Sequence, residues 1–457
     1  MAWHHSKELI RKYNIPGPRY TSYPTVPFWD EGNFVYEQWI NSIQKNVTNN
    51  KDKGISIYIH LPFCENLCTF CGCHKRITKR HEVEEPYINT LLHEWQIYST
   101  LFEEKPVISE IHLGGGTPTF FSPKNLEHLM NGLLKHSIVK KEFEFGFEGH
   151  PLNTTKEHLQ SLYNLGFKRA SFGVQDYNEK VQKAINRIQP FESVKRVTEQ
   201  AREIGYDSIS HDLVFGLPHQ TVDGVKKNIE LTNELKPDRI SYYSYAHVPW
   251  IKGLGQRGFN DEDIPKDEVK RSLYEIGKEQ FLENGYFEIG MDHFALSNDS
   301  LYKAFELKKL HRNFMGYTTT NTKLMIGLGM SAISDSWTSF AQNNKTVEEY
   351  TAIVNKGKLP VFRGHHLNEE DVIIRQHILN IMCHFETSWN NVEQQFDGLE
   401  TTLHLLKEME DDKLITINNS ELKVTELGKP FVRNICMAFD QRLLRNKPTT
   451  QVFSMTI

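Results

Sequence analysis

The sequence Cys64-Glu-Asn-Leu-Cys68-Thr-Phe-Cys71-Gly-Cys73 decides which fold to expect from this chain. It holds four of the six cysteines within ten residues, which indicates ligands rather than scattered core thiols. Cys-x-x-x-Cys-x-x-Cys supplies three thiolates on one tight loop. These can hold three irons of a [4Fe-4S] cluster and leave the fourth iron open for chemistry.

Other kinds of site also use closely spaced cysteines. A structural zinc site usually needs a second pair of ligands, and no Cys-x-x-Cys or His-x-x-x-His pair follows Cys68 and Cys71. A thioredoxin-type pair would not need Cys64 or Cys73. Zinc binding and an incidental group of thiols remain the alternatives that the loop by itself leaves open.

The composition is that of an ordinary globular protein. A length of 457 residues suggests about two to three domains. The net charge of −5 gives no general attraction for nucleic acid or an anionic membrane. No apolar run approaches the ~18 residues of a membrane span, and the first residues do not resemble a signal peptide. We therefore expect a cytosolic protein with reduced thiols, no nucleic-acid partner and no membrane span.

The segment from residue 14 to 29 contains four prolines, so we predict an extended arm rather than a long helix. A surface tether is the simpler interpretation of such a segment. Alternatively, Arg19, Tyr20 and Tyr23 lie over a cleft and meet a flat or anionic ligand.

From Ile55 to Trp250, short apolar strands alternate with amphipathic helices, which predicts a parallel α/β sheet. The predicted strands are Ser56–His60, Ile108–Leu113, Phe143–Glu148, Arg169–Val174, Ser208–Phe215 and Arg239–Ala246. The predicted helices include Val83–Phe102, Pro123–His136, Lys156–Leu165 and Ser193–Ile204. Polar residues and glycines follow the carboxyl ends of these strands, where parallel α/β folds build their sites.

Beyond Trp250 this alternation stops. We predict a helix over Lys266–Asn284, irregular structure to about Arg363, and a mostly helical region from His366. In that region we expect helices at Glu369–Cys383, Trp389–Phe396 and Leu399–Met409, a hairpin of Leu414–Ile417 with Leu422–Thr425, and a final helix. The predicted domains are 1–54, 55–250, 251–365 and 366–457.

Several motifs together resemble one enzyme family. The Cys64–Cys73 spacing is similar to that of the radical S-adenosylmethionine superfamily. The combined set resembles the oxygen-independent coproporphyrinogen III dehydrogenases, also called oxidases, over nearly the whole chain. The motifs are Pro16–Pro24, Tyr58–Phe63, Gly114–Thr119, Gly173–Asp176, Asp212–Pro218, Gly290–Ala295, His311–Phe314, Ser331–Ser334 and Arg433–Cys436.

The resemblance implies a partial (β/α)6 radical-SAM barrel with an N-terminal arm and a winged-helix-like C-terminal domain. It also implies an oxidoreductase of haem biosynthesis. Such an enzyme converts two propionates of coproporphyrinogen III to vinyl groups, using a [4Fe-4S] cluster and a 5′-deoxyadenosyl radical made from S-adenosylmethionine. The product is protoporphyrinogen IX.

The resemblance also assigns residues. Cys64, Cys68 and Cys71 match cluster ligands. Cys73 matches a position that is important in the family, but we assign no role to it. The positions that match contacts to cluster-bound S-adenosylmethionine are Tyr58, Gly115, Glu148, Ala246 and Ile333, and Tyr58 is also a catalytic candidate. The positions that match contacts to a second S-adenosylmethionine are Phe70, Gly116, Thr117, Gln175, Arg187 and Asp212.

The sequence departs from the family pattern at Met315, where glutamine is frequent, and at Gly149-His150, where an acid is frequent. For the four carboxylates of the substrate, the candidate cations are Arg19, Lys75, Arg76, His311 and Arg312. A flavodoxin or ferredoxin is the expected reductant, and a monomer is the expected state.

Two other classes of protein remain as alternatives. One is a haem-binding chaperone with the same barrel. The other is a DNA-binding regulator that senses through a cluster. The acidic helix before the hairpin argues against DNA, because its carboxylates would repel phosphate.

Overall fold

The structure is a computed structural model that describes residues 2–248, 256 and 258–456. Its first helices are α1 (Ala2–Tyr13) and α2 (Tyr36–Asn49), which frame the proline-rich arm. The arm is extended, as predicted, but it is not a surface tether. Tyr20 and Tyr23 are each only 2% exposed, and they lie in a hydrophobic core shared with the C-terminal helices.

The first half of the chain builds a parallel sheet. All six predicted strands are present, and a short parallel pair forms around the cysteine loop. The strands are β1 (Ile55–Leu61), β2 (Phe63–Cys64), β3 (Arg76–Ile77), β4 (Val107–Gly115), β5 (Ile138–Gly149), β6 (Arg169–Gln175), β7 (Ser208–Phe215) and β8 (Arg239–Ser244).

Helices connect these strands, as expected for parallel crossovers. They are α3 (Glu84–Thr100), α4 (Pro123–Leu134), α5 (Lys156–Asn164), α6 (Glu179–Ala184), α7 (Phe191–Ile204) and α8 (Val222–Leu235). Side chains of Ser122 and Thr155 cap α4 and α5, because each accepts a hydrogen bond from a backbone amide of the first turn.

The following segment is more regular than predicted. It contains α9 (Asp267–Glu283), β9 (Tyr286–Gly290), β10 (His293–Leu296), α10 (Ser300–Glu306), β11 (His311–Asn313), β12 (Gly316–Thr318), β13 (Met325–Leu328), β14 (Ile333–Asp335), β15 (Ser339–Asn343), α11 (Val347–Val354) and β16 (Val361–His366). The helix prediction is confirmed, but the prediction of irregular structure is wrong. Most of these strands are too short for a clear alternation of side chains. All but two pair with the existing sheet, whereas β11 and β12 pair with each other.

The pairing produces one twelve-stranded sheet in the order β16-β15-β14-β13-β1-β4-β5-β6-β7-β8-β10-β9. The strands from β13 to β8 run parallel, and antiparallel strands extend both ends. The predicted boundary between residues 250 and 251 lies outside the described residues. The four-part division of the chain stays a prediction.

The C-terminal region is mostly helical, as predicted. It consists of α12 (Glu369–His384), β17 (Glu386–Ser388), α13 (Leu399–Asp411), β18 (Ile415–Asn418), β19 (Glu421–Val424), α14 (Val432–Phe439) and α15 (Gln441–Arg445). The predicted helix over Trp389–Phe396 is wrong. Residues just before it form β17, which pairs with β19, and only the 3-10 turn Val392–Gln394 follows.

The arm joins the two ends of the described chain. Gly17 donates a backbone hydrogen bond to Ser454 at 3.0 Å, and Thr456 donates one to Ile15 at 2.8 Å. Met455 also forms an isolated antiparallel bridge with Pro16. None of the described helices is both long and apolar enough to cross a membrane.

The sheet has one apolar and one polar face. Adjacent strands align Ile59 with Leu113 and Leu113 with Phe147, and all three are fully buried. On the other face, cross-strand neighbours have polar or small side chains. This row comprises Tyr58, His112, Gly146, Glu148, Ser171, Gly173, Asp212, Ser241 and His293. Because side chains alternate along each strand, sequence periodicity gathers these polar groups on one surface.

Candidate active site

The cysteine loop lies at the carboxyl end of β1. Its base is closed by two backbone hydrogen bonds, from Arg76 to Pro62 at 2.8 Å and from Thr78 to Cys64 at 2.9 Å. The side chain of Asn186 also donates to the carbonyl of Leu67 at 2.8 Å. The first two bonds close the loop, and the Asn186 bond fixes it against the segment that follows α6.

The three cysteines of the Cys-x-x-x-Cys-x-x-Cys pattern are half-buried, while Cys73 is exposed. The Sγ of Cys64 lies 3.3 Å from the Thr117 hydroxyl, and Arg187 donates from Nη1 to the Sγ of Cys68 at 3.7 Å. The loop therefore presents sulfur to donors from two other segments, one after β4 and one after α6.

Cys71 and Cys73 contact each other. A hydrogen bond from the Cys73 thiol lowers the pKa of Cys71 to about 6, with help from the ammonium of Lys75. The same contact raises the pKa of Cys73 well above its ordinary value. Burial raises the pKa of Cys64 to about 11. The loop thus stabilises one thiolate before any metal binds.

Within the part of the chain that the structure describes, no three His, Cys, Asp or Glu side chains are gathered around one point as metal ligands. The donor set nevertheless fits an iron–sulfur group. Thiolate sulfur is its usual ligand, three half-buried thiols share one loop, and Arg187 supplies a hydrogen bond to sulfur.

The glycine turn after β4 packs tightly beside this loop. A Cβ on Gly114 would lie 3.0 Å from both Glu148 Oε1 and the Tyr58 ring. A Cβ on Gly116 would lie 2.5 Å from the Pro62 carbonyl oxygen, and Gly115 has a φ of +110°. Larger residues would therefore push the turn away from the cysteine loop.

Hydrogen bonds fix the orientation of Tyr58. Burial lowers the pKa of His60 to about 4, so this imidazole is neutral at physiological pH. Its Nε2 donates to the carbonyl of His74 at 2.8 Å, which leaves Nδ1 to accept from the Tyr58 hydroxyl at 3.1 Å. The phenol oxygen of Tyr58 keeps its lone pairs for another partner.

A second chain of hydrogen bonds ends at Glu148. Arg169 donates from Nη2 to Nδ1 of His112 at 3.2 Å, and Nε2 of His112 donates to Glu148 Oε1 at 3.1 Å. The side chain of Glu148 is 47% exposed, so its second oxygen remains accessible. This carboxylate can bind a cationic ligand.

Two of the residues that match a second S-adenosylmethionine, Arg187 and Asp212, lie at the middle of the polar face. Arg187 donates to the carbonyl of Gly173 at 2.6 Å, and Ser171 donates to Asp212 Oδ2 at 2.9 Å. Burial raises the pKa of Asp212 to about 6, with a further contribution from Glu148. Asp212 is therefore close to its titration range at neutral pH.

The other predicted contacts are more dispersed. Gln175 has a φ of +66° at the end of β6, and Phe70 packs against a small core cluster beside the cysteine loop. Ala246 follows β8, whereas Ile333 lies in β14, near the opposite end of the parallel strands. The side chains of Ala246 and Ile333 have no hydrogen-bonding groups, so they can contact a ligand only by apolar packing.

The substrate-binding candidates fall into separate places. Arg19 forms an ion pair with Asp292, and Arg312 donates to the arm carbonyls of Arg19 and Tyr20. Lys75 is held by the carbonyls of Cys71 and Cys73. Two other candidates have different environments: Arg76 is exposed and paired with Glu348, and burial lowers the pKa of His311 to about 3.

The predicted cleft contacts of Tyr20 and Tyr23 are wrong, because both are core residues.

Of the two departures from the family pattern, Met315 lies in a turn, whereas Gly149 is the last residue of β5 and His150 follows it. The backbone amide of Met315, between β11 and β12, donates to Asn313 Oδ1 at 2.9 Å. A Cβ on Gly149 would lie 2.9 Å from the Thr154 hydroxyl oxygen, and burial lowers the pKa of His150 to about 2.

Sequence reasoning missed His293 as a member of the polar face. His293 is the cross-strand neighbour of Ser241, which in turn neighbours Asp212. Its Nδ1 lies 2.9 Å from Asp292 Oδ1, and Asp292 pairs with Arg19. Both residues belong to the Gly290–Ala295 motif, but that motif does not reveal which sheet face they occupy.

The chain is similar to known proteins over almost its full length. The family model for the radical SAM superfamily matches residues 58–232. The oxygen-independent coproporphyrinogen III oxidase of Pseudomonas aeruginosa is 37% identical over 444 residues, covering 95% of each chain. The corresponding protein of Escherichia coli K12 is 36% identical over 454 residues, covering 98% of each.

A solved structure is also similar to this chain over most of its length. The coproporphyrinogen III oxidase from Escherichia coli, described as a radical SAM enzyme, has a TM-score of 0.87 and 35% identity, covering 93% of this chain and 97% of that one. The similarity includes the arm and the C-terminal region as well as the sheet.

Proposed function

The chain belongs to the oxygen-independent coproporphyrinogen III oxidase family of the radical SAM superfamily, and we propose that it oxidatively decarboxylates two propionates of coproporphyrinogen III to vinyl groups. The product is protoporphyrinogen IX, a precursor of haem. The observation that carries this proposal is similarity over nearly the whole chain, combined with a cysteine loop and glycine turn at one edge of the sheet.

A [4Fe-4S] cluster and S-adenosylmethionine are the cofactors of this superfamily, and the chain uses both. When bound, they supply the carbon-centred radical that removes hydrogen from a propionate. We assign Cys64, Cys68 and Cys71 as the cluster ligands. Arg187 orients Cys68 through its hydrogen bond to sulfur, and Cys73 positions the loop through its contact with Cys71.

The polar face holds the nucleoside cofactor. We assign Glu148 and Tyr58 to the cluster-bound molecule because each presents a fixed, partly free oxygen. The remaining contacts to that molecule are Gly115, Ala246 and Ile333. The proposed contacts to a second molecule are Phe70, Gly116, Thr117, Gln175, Arg187 and Asp212.

The chain itself must exclude water and hold the reacting groups in place. Buried aromatic residues beside the glycine turn include Phe63, Phe120 and Phe121. The centroids of their rings lie within 6 Å of one another. The neutral His60 donates to a backbone carbonyl, so it adds no charge beside the cysteines. Such a site limits quenching of a radical by solvent.

The proposal includes an external reductant of the flavodoxin or ferredoxin class, a monomeric state and a cytosolic location. The assigned cluster ligands must stay reduced to bind iron, which supports a reducing compartment. On α13, Lys407 is neutralised by Glu410 and Asp411, which disfavours a DNA-binding role for this helix.

The test is an anaerobic turnover assay on cluster-reconstituted protein with reductant, S-adenosylmethionine and coproporphyrinogen III. Mass spectrometry should detect a product that has lost two carbon dioxide molecules, together with 5′-deoxyadenosine. Cys68→Ser should abolish both products and lower the iron content. Cys383→Ser makes the same change at a buried thiol of the C-terminal region, and it should retain iron.

Other outcomes would contradict the proposal. Deoxyadenosine without decarboxylation would point to another substrate for the same radical chemistry. Stoichiometric haem binding without either product would favour a haem chaperone instead.

A further inference from the structure

A cavity of about 1150 Å³ adjoins the proposed site. It lies between α1, the arm, the end of β8, the first turns of α9 and the C-terminal segment. Ala246, a proposed cofactor contact, is part of its wall. Its volume is above the usual range for small-molecule pockets, so a tetrapyrrole-sized ligand fits the space.

Lys270 is a half-buried cation in this wall that forms no ion pair with the described residues. Its Nζ donates to the carbonyl of Tyr245 at 2.8 Å, and no described carboxylate lies within ion-pair distance of it. Burial lowers its pKa to about 8, and the nearby guanidinium groups of Arg19 and Arg433 contribute. The ammonium has two further N–H groups available for a ligand.

Arg19 lines the same cavity and lies close enough to Lys270 for its charge to lower the pKa of that lysine. Its Nη2 is engaged by Asp292, its guanidinium lies 6.0 Å from the Tyr243 ring centre, and about a third of its side chain is exposed. Two N–H-bearing nitrogens of Arg19 have no protein partner among the described residues. Arg19 and Lys270 can therefore contact one ligand together.

Two more arginines hold Arg19 in place. Arg433 donates to the carbonyls of Gly17 and Pro18, and Arg312 donates to those of Arg19 and Tyr20. Four consecutive arm carbonyls are thus bound by cations. Lys270, Arg19, Arg312 and Arg433 together form a group of four cations. Among the described carboxylates, only Asp292 forms an ion pair with a member of this group, so the group carries a surplus of positive charge.

Acidic residues at the edge of the cavity do not neutralise the positive charge of the four cations. Glu268 pairs with Lys7 and Arg11, and Asp261 pairs with His247. Asp267 is exposed at the start of α9. A partly desolvated cation without a counter-ion is unfavourable, and an anionic ligand relieves that cost.

We propose that Lys270 and Arg19 form a carboxylate anchor that binds one propionate of the tetrapyrrole substrate in this cavity. The inference rests on the proposed function for the identity of the substrate. Arg312 and Arg433 are positioning residues, because they act on the arm rather than on the ligand. The anchored propionate fixes the macrocycle so that another propionate can face the cofactor end near Ala246.

The test measures binding rather than turnover. Cluster-reconstituted protein is dialysed to equilibrium against coproporphyrin III, the stable porphyrin with the same four propionates, and free porphyrin is measured by fluorescence. Lys270→Met should raise Kd about tenfold through the lost charge-assisted hydrogen bond. Lys270→Arg should recover most of the affinity, and Lys226→Met on the exposed face of α8 should match the unmodified protein.

Salt dependence separates an anchor from a structural role. The unmodified protein should lose affinity more steeply with added salt than Lys270→Met, because the variant has one fewer ion contact. Unchanged affinity in Lys270→Met would overturn the inference, whether or not its melting temperature falls. If the unmodified protein shows this binding pattern but makes no decarboxylated product, the anchor stands and the proposed function fails.

Discussion

The side chain of Glu148 is oriented by two other residues. His112 donates to one of its oxygens and is held in that tautomer by Arg169, and none of the described residues donates a hydrogen bond to the second oxygen. A carboxylate fixed in this way loses little conformational entropy when a cationic ligand binds. We therefore expect the negative charge of Glu148, and not only its shape, to contribute to the binding of a cationic ligand.

We predict that Glu148→Gln weakens S-adenosylmethionine binding about tenfold, because the amide keeps the hydrogen bond from His112 but loses the negative charge. Isothermal titration of the reconstituted protein under anaerobic conditions measures this. Glu142→Gln, on the exposed first half of the same strand, is the control. Equal affinities in the two variants would show that Glu148 does not face the cofactor.

Sequence was informative about residues whose role depends on local spacing. The cysteines and glycines lie close along the chain, so their proximity follows from a short loop. The partnership of Arg19 with Asp292 joins residues far apart in sequence, and no spacing reveals it. Lys270 resembled any other lysine on an amphipathic helix until its neighbours were known.

Among the elements, α3 is tied to the added strands by a buried carboxylate. Glu94 accepts hydrogen bonds from the amide of Gly329 at 2.8 Å, from Asn343 at 2.7 Å and from Tyr350 at 2.7 Å. Burial raises the pKa of Glu94 to about 7 despite these donors. The folded state therefore retains a proton that the unfolded chain releases at lower pH.

This raised pKa makes stability depend on pH. Between about pH 4.5 and 7, the contribution of Glu94 to stability should fall as pH rises, by on the order of 3 kcal/mol across the interval. Glu94→Gln should flatten that part of the profile. Chemical denaturation at several pH values measures the slope, and identical slopes in both proteins would contradict the prediction.

Element length determined which strands could be predicted. The six central strands have at least six residues each and alternate or run apolar, so their pattern was visible. Strands such as Ile333–Asp335 and His311–Asn313 are too short for a pattern and depend on their neighbours. The same dependence explains why the short strand Glu386–Ser388 was not predicted, because it forms by pairing with β19.

At the scale of the whole molecule, Arg433 connects the C-terminal region to the arm. It donates to the carbonyls of Gly17, Pro18 and Met455 while its side chain is buried. This contact places Arg19 beside the sheet, and hence the arm beside the cavity. The arm is therefore part of the site's wall, although its composition alone favoured a tether.

We predict that Arg433→Met lowers the free energy of unfolding by about 2–4 kcal/mol, because several charge-assisted bonds are lost. The released arm should also become susceptible to trypsin at Arg19. Calorimetry and limited proteolysis measure the two effects. Arg445→Met removes an exposed pair with Glu370 and should change stability by less than about 1 kcal/mol. An arm that stays resistant in Arg433→Met would show that other contacts suffice.

The pairing of Ile15 and Gly17 with Thr456 and Ser454 also sets an order of events during synthesis. A ribosome makes residues 15–17 before the strands of the sheet and residues 454–456 after them. The sheet can assemble while the chain is still growing, but the arm must wait for its last partners. Because Arg19 belongs to that arm, the newly made protein gains its complete cavity wall only after every strand of the sheet has been made.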